Sequence, residues 1–562
     1  MSVENAELSG GFRPEDGPAW QRIRRYAVPG WMIEQATAHR LAGDWRAACA
    51  AAAVDVGFEL SELEARYGAA VAEAVAEDLR HLAPDLVRWH LPRLLGGRTT
   101  ISPELRILLA SYGGHGGPTL SVTTPLMTEG SQRLRLHCAP VVTKKRNLYA
   151  GRGFVSEDWT AVRPFWDARC ASELGSRFAD PDGLAERIAR LRAREDVVGA
   201  YQAAGIACDL TAPTPQRYQR PVDPKALLER IPIDLTRLAP EVGRLVAAGA
   251  GDRYRIAADW RSHLLLEHAG PDGLRARIIE QDEARAVPLL PRYAWQRLPD
   301  PELVRTGRIT PRELHPLVAA ALFPGVGPVV GPPGPDTGRP VRVRCRGGWH
   351  EVRSRGGALD VPHTPEEQQR ERAMRAFGGA VSGCFAVQQA WTTGEGRLPR
   401  ALQAQRHELF LRVQHGDTPG VVALLDAGVD PRIRDARGRG LLHALHLLDH
   451  EVLLPRLLAA GLDLEARDKA ERTPLLSAVH WGGSADLVRA LLAAGSRIDV
   501  IDEMELSLSQ EIRRYQRTDL AFLRDRVDEE FPDIGADWFD EHMEDREDDE
   551  DHEDDEDEGD DA

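Results

Sequence analysis

From Trp31 to about Tyr112 the apolar residues recur three and four positions apart, the spacing of helices that bury one face. Ser61-Glu62-Leu63-Glu64 predicts a capping box for a helix running through Val71 and Val75 to Leu79, and Ser102-Pro103-Glu104 predicts a second helix start with proline in its first turn. Ala42-Gly43-Asp44-Trp45 is similar to the helix starts of helical-hairpin solenoids, but it occurs once. After the glycines between Gly113 and Gly117 the period changes to two: Leu120, Val122 and Thr124, then Leu134, Leu136 and Cys138, predict two strands joined by a loop. Further strands are expected at Tyr254 to Ala258, Leu264 to Glu267 and Arg275 to Ile279, with a helix from Gly183 to Ala204. The Pro- and Gly-rich run 324–340 predicts a linker. Beyond it a strand pair, Val341 to Arg346 and His350 to Arg355, is separated by Gly347 and Gly348, and a helix is expected from Pro365 to about Trp391.

The C-terminal part repeats. Leu424-Leu425-Asp426-Ala427-Gly428, Leu457-Leu458-Ala459-Ala460-Gly461 and Leu491-Leu492-Ala493-Ala494-Gly495 place their glycines 33 and 34 residues apart, and Asp435, Asp468 and Asp502 keep the same beat. Leu487, Val488, Leu491 and Leu492 make an apolar stripe that a neighbour must cover, and a glycine after such a helix allows the left-handed backbone that ends it. In Thr473-Pro474-Leu475-Leu476 the threonine caps a helix and the proline opens its first turn. The stretch 402–527 thereby resembles the ankyrin-repeat family, with His443 at the position where that family uses histidine structurally and with Gly440-Leu441-Leu442-His443 departing from its Thr-Pro-Leu-His element. The resemblance implies about four repeats, two of them caps, that bind another protein through turn tips and a concave helical face, with no catalytic residues.

The expected fold class is α-rich and multidomain: a mixed α/β N-terminal body, then a C-terminal α-solenoid of about four ankyrin-type repeats, then a disordered acidic tail. The expected boundaries are a flexible N-terminus at 1–30, the body at 31–323, the linker at 324–340, the strand pair and long helix at 341–401, repeats at 402–527, a cap at 528–539 and the tail at 540–562. A chain of 562 residues is too long for one core. Its net charge of −17 is almost all in the tail, which holds 17 acidic residues against Arg546 alone, so the folded body is near neutral. Only Lys144, Lys145, Lys225 and Lys469 among the 71 basic residues are lysines, an arginine bias that weakens arguments from any single guanidinium. Six scattered cysteines, no Cys-x-x-Cys pair, no signal peptide and no run of 18 apolar residues predict a cytoplasmic protein with free thiols.

The partner-binding residues expected at the turn tips are Arg432, Arg434, Arg437, Arg439, Lys469 and Arg472, a surface suited to an acidic protein segment. The tail 540–562 is itself such a segment: its plain role is solubility, and the alternative is that it folds back transiently onto the turn from Arg432 to Arg439. No catalytic residue, cofactor or metal site is expected. His443, His446 and His450 with Asp449 sit at helical spacing, but the first belongs to the repeat and the last to a turn. Gly113 to Gly117 lacks the Lys-Ser/Thr of a P-loop and leads into a strand. Lys144, Lys145, Arg146, Tyr149, Arg152 and Phe154 make too small a basic patch for a nucleic-acid surface. The expected function is therefore a non-catalytic adaptor or scaffold. The alternative is an enzyme or nucleotide-dependent factor in the N-terminal body, which a pocket of converging polar side chains within residues 31–320 would favour.

Overall fold

The computed structural model describes residues 14–114, 116–141, 154–178, 183–213, 222–259, 261–270, 273–336, 340–356, 358–377, 382–393 and 396–539. The chain divides into two units, the first Met1–Thr128 with Gln132–Pro333, the second Glu129–Ser131 with Gly334–Ala562. Among the described residues no helix is long and apolar enough to cross a membrane.

The first unit holds two sheets. Strands β1 (Val54–Val56), β2 (Leu105–Ser111), β3 (Thr119–Thr123), β4 (Leu134–Ala139) and β5 (Val155–Asp158) lie in the order β1-β4-β3-β2-β5. Strands β6 (Ile206–Asp209), β7 (Arg253–Ala257), β8 (Ser262–His268) and β9 (Leu274–Glu280) lie in the order β6-β9-β8-β7. Helices pack on both sheets to form one core that buries Trp89, Trp159 and Trp166.

The two sheets repeat one plan. Each is an antiparallel meander whose last strand pairs in parallel with an earlier edge strand, β1 on β4 and β6 on β9. On the opposite edge β5 runs parallel to β2, and Leu289 makes a parallel bridge to Arg255 of β7. The edge strands follow matching helices, Trp45–Ala51 capped by Asp44 and Val197–Ala203 capped by Asp196. Before each strand stands one left-handed residue, Ala53 (φ 52°) or Gly205 (φ 74°), whose carbonyl accepts from Leu134 or Leu274. Two later helices, Pro84–His90 and Leu235–Ala247, begin alike: the N-cap residues Ala83 and Asp234 donate their N–H groups to the carbonyls of Trp166 and Trp295, both at 2.8 Å. Each tryptophan follows a 3-10 turn begun by arginine, Arg163–Phe165 or Arg292–Ala294. The first unit is thus an internal duplication of topology, with halves at residues 30–166 and 184–295.

Several expected helices are corrected in this unit. Gly68, at φ 89°, breaks the helix expected through Leu79 into Leu60–Tyr67 and Ala69–His81, and Glu59 rather than Ser61 precedes the first turn. Ser102-Pro103-Glu104 opens no helix: Glu104 is left-handed, and the chain enters β2, where Leu105, Ile107 and Leu109 alternate inward. The helix expected over 183–204 is two, Leu184–Arg192 and Val197–Ala203, parted at left-handed Glu195.

In the second unit an antiparallel sheet β10-β11-β12 (Val341–Cys345, Gly348–Arg355, Ala358–Asp360) precedes the helices. The expected α-rich class ending in an α-solenoid of ankyrin-type repeats is corrected here: the described chain is mixed α/β with three sheets, and the helices of 402–527 do not stand as a solenoid of their own. Leu402, Leu409 and Leu424 share one core with Val343 and Val352 of the sheet. At Gly428 the backbone passes so close to the sheet that an added Cβ would lie 2.7 Å from the Gly356 nitrogen. Residues Leu442–Leu447 form a 3-10 turn where an α-helix was expected, and the Pro365 to Trp391 helix is two helices, Pro365–Ala376 and Gly383–Thr393. The tail 540–562, the residues before 14 and the patch from Lys144 to Arg152 lie outside the described residues.

The duplication yields a clean backbone test. At Gly205 an added Cβ meets nothing within 4 Å, so Gly205→Ala imposes only the left-handed strain that its counterpart Ala53 already bears. Net of the smaller entropy of the unfolded alanine chain, the first unit should lose about 1 kcal/mol in urea denaturation. An unchanged midpoint would remove that position from the shared plan.

Candidate metal centre

Strand β10 alternates, with Val341, Val343 and Cys345 inward and Arg342 and Arg344 outward. Arg346 (φ 49°) and Gly347 (φ 85°) are both left-handed, the backbone of the two-residue hairpin turn whose twist matches its strands. That turn sets a register in which Val343 faces His350 and Cys345 faces Gly348, so Cys345 and His350 lie diagonally on one face. His363 follows β12 and stands just before the helix Pro365–Ala376. Cys384 is the second residue of the helix Gly383–Thr393 and is fully buried.

These four side chains converge. One ligand atom from each of Cys345, His350, His363 and Cys384 lies within 4.8 Å of all the others. The Sγ of Cys345 is 3.5 Å from His363 Nε2, His363 Nε2 is 3.3 Å from His350 Nδ1, and His350 Nδ1 is 3.5 Å from the Sγ of Cys384. Zinc bonded tetrahedrally to sulfur at about 2.3 Å and to nitrogen at about 2.0–2.1 Å would set its ligand atoms about 3.3–3.8 Å apart. The three separations of 3.3–3.5 Å match edges of that tetrahedron, and the remaining pairs lie within 4.8 Å. Among the described residues no other group of three or more such side chains is gathered in this way.

The surroundings fit a metal as well. The other ring nitrogen of His363 faces Glu367 Oε2 at 3.4 Å, the carboxylate contact that orients metal-bound histidines. Glu367 is placed by a capping box: its carboxylate accepts from the Thr364 N–H, and its own N–H donates to Thr364 Oγ1. Bonds from the Thr364 backbone and the His363 ring hold Glu367 below the usual carboxylate range. Gly383, at φ 58°, allows the close approach of helix and strand, since an added Cβ would lie 2.5 Å from Cys345 Sγ. With no cation counted, burial and the neighbouring Cys345 push the Cys384 thiol up to about 12; a coordinated divalent ion reverses that preference, because a coordinating thiol is deprotonated outright.

The residues expected at the turn tips are placed differently from one another. Arg437 and Arg439 bind Glu129 at 2.7 and 2.6 Å, and Glu129 groups with this unit. Arg432 pairs with Asp430, Arg472 reaches Asp502 at 3.5 Å, and Arg434 donates to the carbonyls of Gly438 and Arg467. Lys469 is bound through its backbone to the Arg437 carbonyl. Asp435, Asp468 and Asp502 each accept two backbone N–H groups of their own turn. Gly428, Gly461 and Gly495 are left-handed after their helices, and Thr473 caps the helix begun by Pro474. His443 accepts from the Gly440 N–H and faces the Arg472 carbonyl. His446 sits between the carbonyls of His443 and Glu129, where burial pushes it down to about 3, and Asp449 caps the next helix. Gly113, Gly114 and Gly116 are left-handed in the loop between β2 and β3.

The expectation of no metal site did not consider these four side chains together. They fall at Cys345, His350, His363 and Cys384, a spacing that follows no compact motif, and only the hairpin diagonal and the return of the chain as a helix bring them together. The available signal was that two of the six cysteines bracket two histidines within about 40 residues.

Two substitutions test the geometry without touching a ligand. Gly383→Ala and Glu367→Gln should each weaken metal binding about ten- to a hundredfold, read by competition against a chromogenic chelator. Unchanged affinity in both would mean that the four side chains do not act as one site. No protein-family profile matches this chain, and no curated protein matches its sequence.

Proposed function

We propose that the second unit is a zinc-built, non-catalytic protein-binding module. The observation that carries the metal assignment is the convergence of two buried cysteines and two half-buried histidines, with three ligand separations of 3.3–3.5 Å and all four within 4.8 Å. Two thiolates and two imidazoles suit zinc, and four protein ligands leave no open position for a substrate or reactive water, which is the signature of a structural ion. The ion would tie β10, β11 and the chain after β12 to the helix Gly383–Thr393. Trp391 of that helix is fully buried in the core shared with the later helices. The unit would therefore depend on metal for the surface that its turns present.

The adaptor reading rests on those turns. Three of them are held alike by Asp435, Asp468 and Asp502, and of the cations beside them Glu129 takes Arg437 and Arg439 but not Arg432, Arg434, Lys469 or Arg472, of which Arg432 and Arg472 pair with Asp430 and Asp502. We assign to these turns an acidic segment of another protein, with the tail 540–562 as a competitor from the same chain. A reducing compartment such as the cytoplasm suits thiolate ligands and the six unpaired cysteines.

Purified full-length protein should carry one zinc per chain by elemental analysis, and Cys345→Ala with Cys384→Ala should abolish it. Chelation should lower the melting temperature of the native chain and leave that of the double variant unchanged. A chain without zinc whose Cys345 and Cys384 are joined as a disulfide would sink the metal reading. The binding half is tested separately by the triple change of Arg432, Arg434 and Lys469 to Ala. Retention of an acidic peptide by the native chain should fall in that variant, and equal retention would reject it.

A further inference from the structure

A cleft in the first unit gathers buried nitrogens that have no partner. Its wall takes His90 and Arg93 from the first half of the duplication and Arg237, Arg292 and Gln296 from the second. Trp20, Trp159, Phe165 and Tyr293 supply aromatic sides. In the residues that line this cleft, the buried side-chain atoms that lack a partner are all nitrogens: Nε of Arg93, Nε of Arg237, Nε2 of Gln296, Nε1 of Trp20 and both ring nitrogens of His90. The His90 ring stacks on Phe165 at 4.2 Å, which fixes its edge.

Charge decides between water and an ion. Arg93 is 4% exposed and donates to the Arg88 carbonyl at 2.6 Å, and among the described residues no carboxylate pairs with it. Arg88 beside it is 1% exposed and likewise donates to a carbonyl, that of Gln132. A buried guanidinium without a counter-ion is strongly unfavourable, and water satisfies its hydrogen bonds but not its charge. Burial and the nearby Arg88 and Arg24 push Arg93 well below the usual arginine range. By contrast Arg24 is fully engaged by Asp300 and the Trp89 carbonyl, and Arg237 has Glu241. The one carboxylate on the wall, Glu157, already faces Arg292 at 3.7 Å and accepts from the Trp159 indole.

We propose that this cleft binds a tetrahedral oxyanion, phosphate or sulfate, either free or as the head group of a larger ligand. The cavity of about 60 Å³ would hold about four to six waters, or one ion of that size held by the fork of Arg93 and the neutral donors around it. A second hollow of about 310 Å³ shares Glu157 and Arg292 with it and is lined by Leu105, Ile256, Leu290 and Trp295. That hollow is where the apolar body of an esterified ligand would lie.

The test is calorimetric titration of the full-length chain with inorganic phosphate, against chloride at equal ionic strength. Saturable one-to-one binding is expected, with sulfate competing. Arg93→Gln should weaken it about tenfold or more, and Gln296→Leu, which removes a neutral donor and leaves the buried charge in place, should weaken it less. Phenyl phosphate binding more tightly than phosphate would identify an esterified ligand, and equal affinity would identify the free ion. Absence of saturable phosphate binding in the native chain overturns the proposal, and so does binding that a folded Arg93→Gln variant leaves unchanged.

Discussion

A nitrogen or sulfur taken out of water must find a partner of matching chemistry, and an unsatisfied one costs more than a typical hydrogen bond contributes. Both units are arranged around that constraint. In the second, two thiols and two imidazoles are packed at separations suited to one shared ion, with a carboxylate behind one ring to set its orientation. At the cleft of the first, the unmatched atoms are nitrogens, most of them N–H donors, beside a guanidinium that no described carboxylate pairs with. The chemistry of the orphans thus differs in sign between the units: soft electron-pair donors around one point, hydrogen donors around the other. The first gathers its side chains about a single point, whereas the cleft shares Glu157 and Arg292 with a larger hollow.

The duplicated plan of the first unit answers the same demand at the level of the backbone. A helix start leaves N–H groups without intrahelical acceptors. In each half a tryptophan carbonyl, delivered by a 3-10 turn, meets the N-cap residue. In each half the residue before the edge strand turns left-handed and offers its carbonyl to the meander. The same backbone needs are met at the same places although the side chains have diverged, as Ala53 and Gly205 illustrate.

This divergence explains what could be read in advance. The strands β4, β7 and β9 were legible because alternation survives where one sheet face is buried, whereas β3 and β8 are buried on both faces, β3 still alternating at Leu120 and Val122 and β8 showing only as the short apolar run Leu264-Leu265-Leu266. Helix continuity was not, since Gly68 and Glu195 interrupt apolar periodicity without erasing it. Ser102-Pro103 failed as a helix start because the alternation of Leu105, Ile107 and Leu109 outweighed a local capping signal. The glycine and aspartate beat between Gly428 and Asp502 marked real turns, but it carried no information on the sheet that shares their core. The metal ligands were hidden for a related reason: a diagonal across a hairpin depends on register, and register appears only once Arg346 and Gly347 are known to be the turn. The duplication itself was invisible at the level of residues, because backbone carbonyls, which carry most of it, leave no mark on composition.

The four ligands of the second unit occupy one short stretch, Cys345 to Cys384, that precedes every helix from Arg400 onward. Closing loops of this length is entropically cheap, and contacts between near neighbours in the chain form quickly. During synthesis the hairpin and the helix Gly383–Thr393 leave the ribosome before their later neighbours exist. A captured ion would then hold Val343, Val352 and Trp391 in place as a preformed apolar floor, on which Leu402, Leu409 and Leu424 condense as they emerge. With an ion bound, the order of these side chains along the chain would make the centre a nucleus for assembly as well as a clasp on the finished fold.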